Sequence, residues 1–210
     1  MRNTKTQQSA AKFVPAQHDI DTLRNAAASC KGCDLWRNAR QTVFGAGSES
    51  ARMVLIGEQP GDQEDRTGVP FSGPAGQLLD RGLVDAGIDR EEVYITNAVK
   101  HFKWLPRGKR RLHQKPNGRE ITACRPWLVA ELEAIRPRVL VCLGATAARS
   151  VLGKTTKISD HRGEVLQSDL SDRIIVTVHP SSILRIEDPD MRQIAMRRFV
   201  DDLRAARRAL

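Results

Sequence analysis

The sequence has 210 residues, of which 40% are hydrophobic and 28% charged, a composition typical of one folded domain and not of a disordered or fibrous chain. Its longest apolar run, from Val139 to Ala148, is about half the roughly 20 residues that a membrane-spanning helix needs, so no such helix is expected. Lys and Arg exceed Asp and Glu by nine, and this net charge of +9 favours an acidic partner such as nucleic acid.

The first 17 residues are mainly polar and are predicted to form a loose tail, followed by a single domain over residues 18–210. This beginning has no apolar segment of the kind that a secretory signal requires. We therefore expect a cytoplasmic protein in a reducing compartment.

Short apolar runs alternate with segments of helical spacing along the rest of the chain. The runs that predict buried strands are 53–56, 93–96, 139–143 and 174–178. Helices are predicted from Asp19, after Ser72 as far as Gly87, from Glu120, after Gly144, and at the C-terminus. This alternation predicts a three-layer α/β/α sandwich with a central, mainly parallel, four-stranded sheet.

Residues 98–119 contain eight basic side chains and no acidic one, which accounts for most of the net charge. Such a run is often only a solvated surface. Phe102, Trp104 and two prolines within it favour a basic loop that binds a polyanion.

Polar residues follow the predicted strands. They are GEQPGDQED at 57–65, Asn97, Gly144-Ala-Thr, and HPSS at 179–182. The carboxyl ends of parallel strands meet at one edge of a sheet, where ligands bind. We therefore expect these residues to form one site.

These motifs, together with GVPFSGPAGQLLD and HPSSILR, resemble the uracil-DNA glycosylase superfamily, particularly its iron-sulfur members. The resemblance extends from about Cys30 to the last helix. Within the superfamily, GKRRLH at 108–113 is similar to the signature loop of the family X enzymes (UdgX), with Leu112 where those enzymes normally have Ile. Family X enzymes excise uracil and stay covalently attached to the abasic sugar through the loop histidine.

The resemblance implies a uracil site made of Phe71, Asn97 and His179. Phe71 would stack on a base taken out of the helix. The Asn97 amide can donate to uracil O4 and accept from N3–H, a pattern that cytosine reverses. His179 would stabilise the negative charge on the leaving uracil.

The resemblance also makes His113 the nucleophile that attacks C1′ of the sugar. Glu58 is expected to orient His113 and accept its proton, while Gln59 and Asp62 line the site near the sugar. Gln59 cannot act as a general base, so activation of water is expected to be weak and histidine becomes the acceptor.

Phosphate contacts are expected from polar side chains on the basic loop and on the last motif. They are Lys109, Arg110, Arg111, Ser181, Ser182 and Arg185.

Four cysteines are present, Cys30 and Cys33 as C-x-x-C, then Cys124 and Cys142. Disulfides are disfavoured in a reducing compartment, so four thiolates indicate zinc or an iron-sulfur cluster. The spacing resembles that of the [4Fe–4S] glycosylases, which implies a cluster with a structural role.

Three functions are compatible with the sequence. The first is a uracil-DNA glycosylase that captures abasic DNA through His113, and the second is a turnover glycosylase that releases it. The third is a metal-containing DNA-binding module without catalysis. The expected partner is uracil-containing DNA, possibly single-stranded, with free uracil as product, no membrane, and a monomeric protein.

Overall fold

The computed structural model describes residues 8–153 and 156–210. Within these ranges the strands are β1 (Ala46–Gly47), β2 (Met53–Gly57), β3 (Val93–Asn97), β4 (Trp104–Arg107), β5 (Arg110–His113), β6 (Val139–Leu143), β7 (Val165–Ser168) and β8 (Ser171–Thr177). The α-helices are α1 (Ile20–Ala27), α2 (Asp62–Thr67), α3 (Pro74–Ala86), α4 (Gly118–Ile135), α5 (Ala145–Leu152), α6 (Ile158–His161), α7 (Pro180–Leu184) and α8 (Pro189–Arg208). No helix in these ranges is both long and apolar enough to cross a membrane.

The central sheet has the strand order β1-β3-β2-β6-β8-β7. The four inner strands are parallel, and β1 and β7 pair antiparallel at the two edges. The predicted α/β fold with a mainly parallel sheet is confirmed. The predicted number of four strands is wrong, because both edge strands are short and neither contains a continuous apolar run.

Helices cover both faces of the sheet, so every residue of β2, β3 and β6 is buried. One face packs against α1, α4 and α5, with Trp127 fully buried there. The other face packs against α3 and α8, where Phe199 is fully buried. Strands covered on both faces favour apolar residues at nearly every position, which explains their largely apolar sequence; Thr96 and Asn97 at the end of β3 are the buried polar exceptions.

Local sequence signals fix the ends of the main helices. The carboxylate of Asp19 accepts a hydrogen bond from the backbone N–H of Thr22 (2.8 Å) at the start of α1. Asn117 and Glu120 cap the start of α4 reciprocally. Gly87 ends α3 with a φ of 69°, a conformation that favours glycine.

The predicted loose tail over residues 1–17 lies partly within the described residues. Residues 1–7 lie outside the described residues. Ala10 is buried, and its N–H donates to the carbonyl of Ala123 in α4 (2.7 Å). Gly32 lies so close that a Cβ there would be 2.6 Å from the Cα of Ala10. The segment around Ala10 is therefore part of the packed domain and not a loose tail.

The predicted basic loop is a buried segment followed by a β-hairpin. Residues 98–102 are buried, and β4 and β5 then pair antiparallel around a turn in which Gly108 has a φ of 57°. Gly118 begins α4, so the last residues of the basic run are helical. A continuous charge run contains no apolar alternation, which is why the hairpin was not predicted.

Candidate active site

A cavity of about 890 Å³ opens at the carboxyl ends of β2, β3 and β8. Nine of the side chains predicted for the site line it, namely Glu58, Gln59, Asp62, Phe71, Asn97, His113, His179, Ser181 and Arg185. Four predicted residues do not line it, namely Lys109, Arg110, Arg111 and Ser182. The fold thus brings together residues that are more than 100 positions apart in sequence.

Asn97 and Phe71 form a narrow slot in this cavity. Asn97 is 2% exposed, and among the described residues its Oδ1 has no hydrogen-bond partner. A Cβ at Gly57 would lie 2.3 Å from that oxygen and 2.6 Å from Cζ of Phe71. Phe71 itself has a φ of 55°, which is strained for a residue other than glycine. An unpaired amide oxygen beside an aromatic ring is suited to a flat polar ligand.

His179 lies beside this slot, between β8 and α7. Its Nδ1 accepts a hydrogen bond from the backbone N–H of Ser181 (3.2 Å) and lies 2.8 Å from the Ser181 hydroxyl. Burial lowers the pKa of His179 to about 4, and the charges of His113 and Arg185 act in the same direction. The imidazole is therefore neutral at pH 7, with Nε2–H as its donor.

His113 ends strand β5 and is half-exposed at the edge of the cavity. Its Nε2 lies 3.5 Å from Oε1 of Glu58, whose other carboxylate oxygen accepts a hydrogen bond from the Thr146 hydroxyl. Burial lowers the pKa of His113, the Glu58 charge opposes that effect, and Arg185 adds to it. A neutral imidazole beside a carboxylate can act as a nucleophile.

Gln59 lines the cavity as predicted, and its amide also binds the backbone. Its Nε2 donates to the carbonyls of Lys103 (3.2 Å) and Gln114 (3.1 Å), and its Oε1 accepts from the Lys103 N–H (3.1 Å). Lys103 and Gln114 flank the hairpin, one directly before β4 and the other directly after β5. The Gln59 amide is hydrogen-bonded to the backbone, so Gln59 holds the hairpin at its base while it lines the cavity.

Arg111 was predicted to contact phosphate, and in the structure it is bonded within the fold. Its guanidinium donates to the carboxylates of Asp62 and Asp65 and lies over the rings of Phe102 and Trp104. Side chains alternate along a strand, so Arg111 points toward the domain while its neighbour points away. Arg111 therefore fixes the hairpin that carries His113.

Asp62 is likewise engaged mainly in holding the hairpin. Its Oδ1 accepts a hydrogen bond from Nε of Arg111, and its Oδ2 accepts one from Nε of Arg66 (2.9 Å). Lys109 and Arg110 are exposed on the hairpin, and neither has an ion pair within the described residues. Both lie away from the cavity and are accessible to an anionic ligand.

The serines of the HPSS motif are partly committed to the fold. The Ser182 hydroxyl donates to the His179 carbonyl (2.7 Å), and the Ser181 hydroxyl accepts from Nη1 of Arg185 (3.2 Å). Ser181 and Arg185 face the cavity, whereas Ser182 does not.

Sequence reasoning missed a buried network next to Asn97. Lys100 and Glu131 are both fully buried and form an ion pair, and Nζ of Lys100 also donates to the Asn97 carbonyl (2.8 Å) and the Thr96 hydroxyl (2.6 Å). Tyr94 donates to the same carboxylate (3.0 Å). The signal in the sequence for this network was Glu131, an acidic residue at an otherwise apolar position of α4.

The role of Thr146 and the presence of Lys115 in the site were also missed. Thr146 holds Glu58, and Lys115 lines the cavity. The helix start after Gly144 had indicated only that polar residues follow the strand. Lys115 lay within the basic run but carried no motif of its own.

The four cysteines are free and buried in the same core. Burial raises the pKa of Cys33 to about 11 and of Cys124 to about 12, and the charges of neighbouring cysteines add to both shifts. The Trp127 indole N–H donates to Sγ of Cys30 (3.2 Å) and the Lys100 N–H to Sγ of Cys124 (3.3 Å). Among the described residues, no three or more His, Cys, Asp and Glu side chains form a group that could hold a metal ion.

Comparisons with known proteins agree with this geometry. The chain is 40% identical over 178 residues to the type-4 uracil-DNA glycosylase of Thermotoga maritima, covering 84% of this chain and 89% of the relative. It is 38% identical over 172 residues to the type-4 uracil-DNA glycosylase of Archaeoglobus fulgidus, covering 79% and 83% of the two chains. A type-5 uracil-DNA glycosylase of Pyrobaculum aerophilum is 36% identical over 155 residues, covering 65% and 64%. The sequence profile of the Uracil DNA glycosylase superfamily matches residues 44–204, and the chain belongs to this superfamily.

Proposed function

We propose that this protein excises uracil from DNA and that His113 then forms a covalent bond with C1′ of the abasic sugar. The observation that carries the proposal is the position of His113 beside Glu58 at the edge of the Asn97–Phe71 slot. Uracil bound in the slot would have its glycosidic bond directed toward this pair. The relatives named as uracil-DNA glycosylases support excision, and the pair of His113 and Glu58 supports capture.

The slot accounts for recognition of the base. Phe71 provides an aromatic surface for a flipped base. Asn97 has an unpaired Oδ1, which can accept the N3–H of uracil, while its NH₂ group donates to O4. Cytosine offers the opposite pattern at these two positions and would leave the buried amide unsatisfied.

His179 favours departure of the base. Cleavage moves the electron pair of the C1′–N1 bond onto uracil, and the negative charge spreads onto its oxygens. A neutral imidazole with Nε2–H directed into the cavity can donate to that charge without a proton transfer of its own.

Capture follows from attack of the neutral His113 imidazole on C1′. A nitrogen lone pair forms the new N–C1′ bond as the bond to uracil breaks, and the imidazole becomes a cation beside the Glu58 carboxylate. Loss of its remaining ring proton to Glu58 or water leaves a neutral and poor leaving group. The Gln59 amide is occupied by the backbone, which disfavours its use in activating water.

The DNA backbone would be bound by Lys109 and Arg110 on the hairpin and by Ser181, Ser182 and Arg185 at α7. Of these, Ser182 already donates both its hydroxyl and its backbone N–H to the His179 carbonyl, so it would have to exchange one of these hydrogen bonds to contact a phosphate. We further propose that the protein acts as a cytoplasmic monomer. Both properties remain predictions from the sequence.

We propose that Cys30, Cys33, Cys124 and Cys142 hold a [4Fe–4S] cluster. All four are buried, and backbone and indole N–H groups donate to the sulfurs of Cys30 and Cys124, hydrogen bonds that would stabilise ligating thiolates. The four side chains do not form a metal-binding group as they stand in the described residues, so they would have to turn toward one another to hold the cluster. Bound there, the cluster would join the end of α1 to α4 and β6, a structural contribution.

The test is to mix the purified protein with a labelled uracil-containing oligonucleotide and run a denaturing gel after boiling in SDS. A uracil-dependent band at the summed mass, abolished by His113→Ala and retained by His161→Ala at an exposed histidine, supports capture. Abasic DNA without that band would indicate the turnover glycosylase. Intact DNA would indicate the binding module.

Uracil recognition is tested separately with Asn97→Ala. We expect this variant to lose uracil excision while its affinity for uracil-free DNA stays close to that of the wild type. Equal loss of both would mean that Asn97 supports the fold and not the base.

A further inference from the structure

The β4–β5 hairpin has two faces of different character. Residues directly opposite each other in an antiparallel pair lie on the same face. One face consists of Trp104, Pro106, Arg111 and His113. The other consists of Leu105, Arg107, Arg110 and Leu112, and we refer to these four residues as the outer face.

The face that carries His113 is fixed to the domain. Arg111 is bound to two carboxylates, and the Trp104 indole N–H donates to the Asn38 carbonyl (2.9 Å). The hairpin therefore cannot turn over to bury its outer face. The outer face is a permanent part of the protein surface beside the cavity.

The outer face is apolar and basic without any internal compensation. Leu105 and Leu112 lie directly opposite each other and are 57% and 37% exposed. Arg107 and Arg110 are also opposite each other, and neither takes part in an ion pair within the described residues. Like charges directly opposite across a hairpin are destabilising, so an anionic partner would stabilise this arrangement.

We propose that the outer face binds the nucleotides next to the target uracil in a single DNA strand. The two leucines contact the face of an unstacked base, and Arg107 and Arg110 bind the adjacent phosphates. Leu112 immediately precedes His113 in β5, and its side chain lies on the opposite face of the hairpin from His113. A strand whose uracil occupies the cavity would therefore reach the outer face by passing around the edge of the hairpin. This inference rests on the proposed function and adds a preference for single strands to it.

The preference follows from what each form of DNA exposes. In a duplex the base faces are stacked on one another and only their edges reach the grooves. In a single strand the base faces are free to pack on side chains. A pair of leucines has no polar atom with which to read an edge, but it can cover a face.

The first experiment measures binding of a uracil-free oligonucleotide, single-stranded or as a duplex, by fluorescence anisotropy. We expect the wild type to prefer the single strand, and Leu105→Ser combined with Leu112→Ser to weaken single-strand binding roughly 10-fold with little effect on the duplex. Val84→Ser, at a 75% exposed residue of α3, is the matched control and should change neither.

The arginines are tested by the salt dependence of the same binding. Replacing Arg107 and Arg110 by Ala should reduce the slope of log K against log salt by about 1.4 for a single strand. The same double change at Arg197 and Arg198, which are exposed on α8, should leave the slope unchanged.

The second experiment uses a baseless spacer next to the uracil, on one side or the other. On one of the two sides the spacer should slow uracil release by the wild type about 10-fold and have no further effect on the leucine double variant. Equal spacer effects in both proteins, or single-strand affinity unchanged by the leucine substitutions, would overturn the inference. Absence of uracil release with leucine-dependent single-strand binding would refute the proposed function and leave only the binding of single strands by the outer face.

Discussion

Replacement of Arg111 by Met tests whether this side chain fixes the hairpin. Methionine keeps most of the stem that packs on Phe102 and Trp104 but removes the guanidinium. Asp65 is fully buried and would keep only one N–H donor, that of Arg40 (2.9 Å). Removing one partner of a buried ion pair costs about 3–5 kcal/mol.

The contribution of Asp62 is smaller, because its side chain is 41% exposed and solvent screens the interaction. We therefore expect a loss of about 3 kcal/mol, which for a domain of this size lowers Tm by roughly 6–12 °C. Thermal unfolding followed by circular dichroism measures this decrease in Tm. Arg110→Met is the control, since Arg110 is exposed on the outer face and its replacement should change stability by no more than about 0.5 kcal/mol. Equal Tm values for the two variants would refute the assignment of Arg111 as the anchor.

Three further outcomes are expected. The rate of adduct formation should stay level as the pH falls from 8 and decline only below 6.5, because the pKa of His113 is lowered by burial and attack needs the neutral ring; a decline centred above pH 6.5 would contradict this. Burial lowers the pKa of His101 to about 4, so between pH 6.5 and pH 4 only the unfolded chain binds a proton at this residue. The free energy of unfolding should therefore fall by about 3 kcal/mol as the pH falls through this range. In urea unfolding, His101→Asn should lose correspondingly less stability over the same range. Lys100→Met leaves the Glu131 carboxylate buried and should cost about 3–5 kcal/mol in thermal unfolding, whereas adding Glu131→Leu should recover part of that loss.

The fold was predictable from the sequence where burial imposes a pattern. The strands β2, β3 and β6 are covered on both faces and consist mainly of apolar residues, with Thr96 and Asn97 at the end of β3 as buried polar exceptions, and Gly87 marks a helix end by its positive φ. The edge strand β1 is only two residues long and pairs with β3, which is distant in sequence. The edge strand β7 pairs with the adjacent β8 across a tight turn, but its four residues mix apolar with polar side chains and form no continuous apolar run.

The site was predictable to the level of residues but not of their partners. Arg110 and Arg111 are adjacent and chemically identical, yet one is exposed and the other is bound to two aspartates, because they lie on opposite faces of a hairpin. Lys100 belongs to the same basic run and is fully buried, because Glu131 on α4 neutralises it. These outcomes depend on contacts over 31 to 49 positions, which a motif does not contain.

The attachment of the hairpin has a consequence for the entropy of the reaction. Gln59 and Arg111 fix the hairpin in the free protein, and the Thr146 hydroxyl holds Glu58. The conformational freedom that His113 must lose before it can react is thus lost when the chain folds and not when DNA arrives. Each encounter with uracil-containing DNA therefore begins with the attacking group already in place.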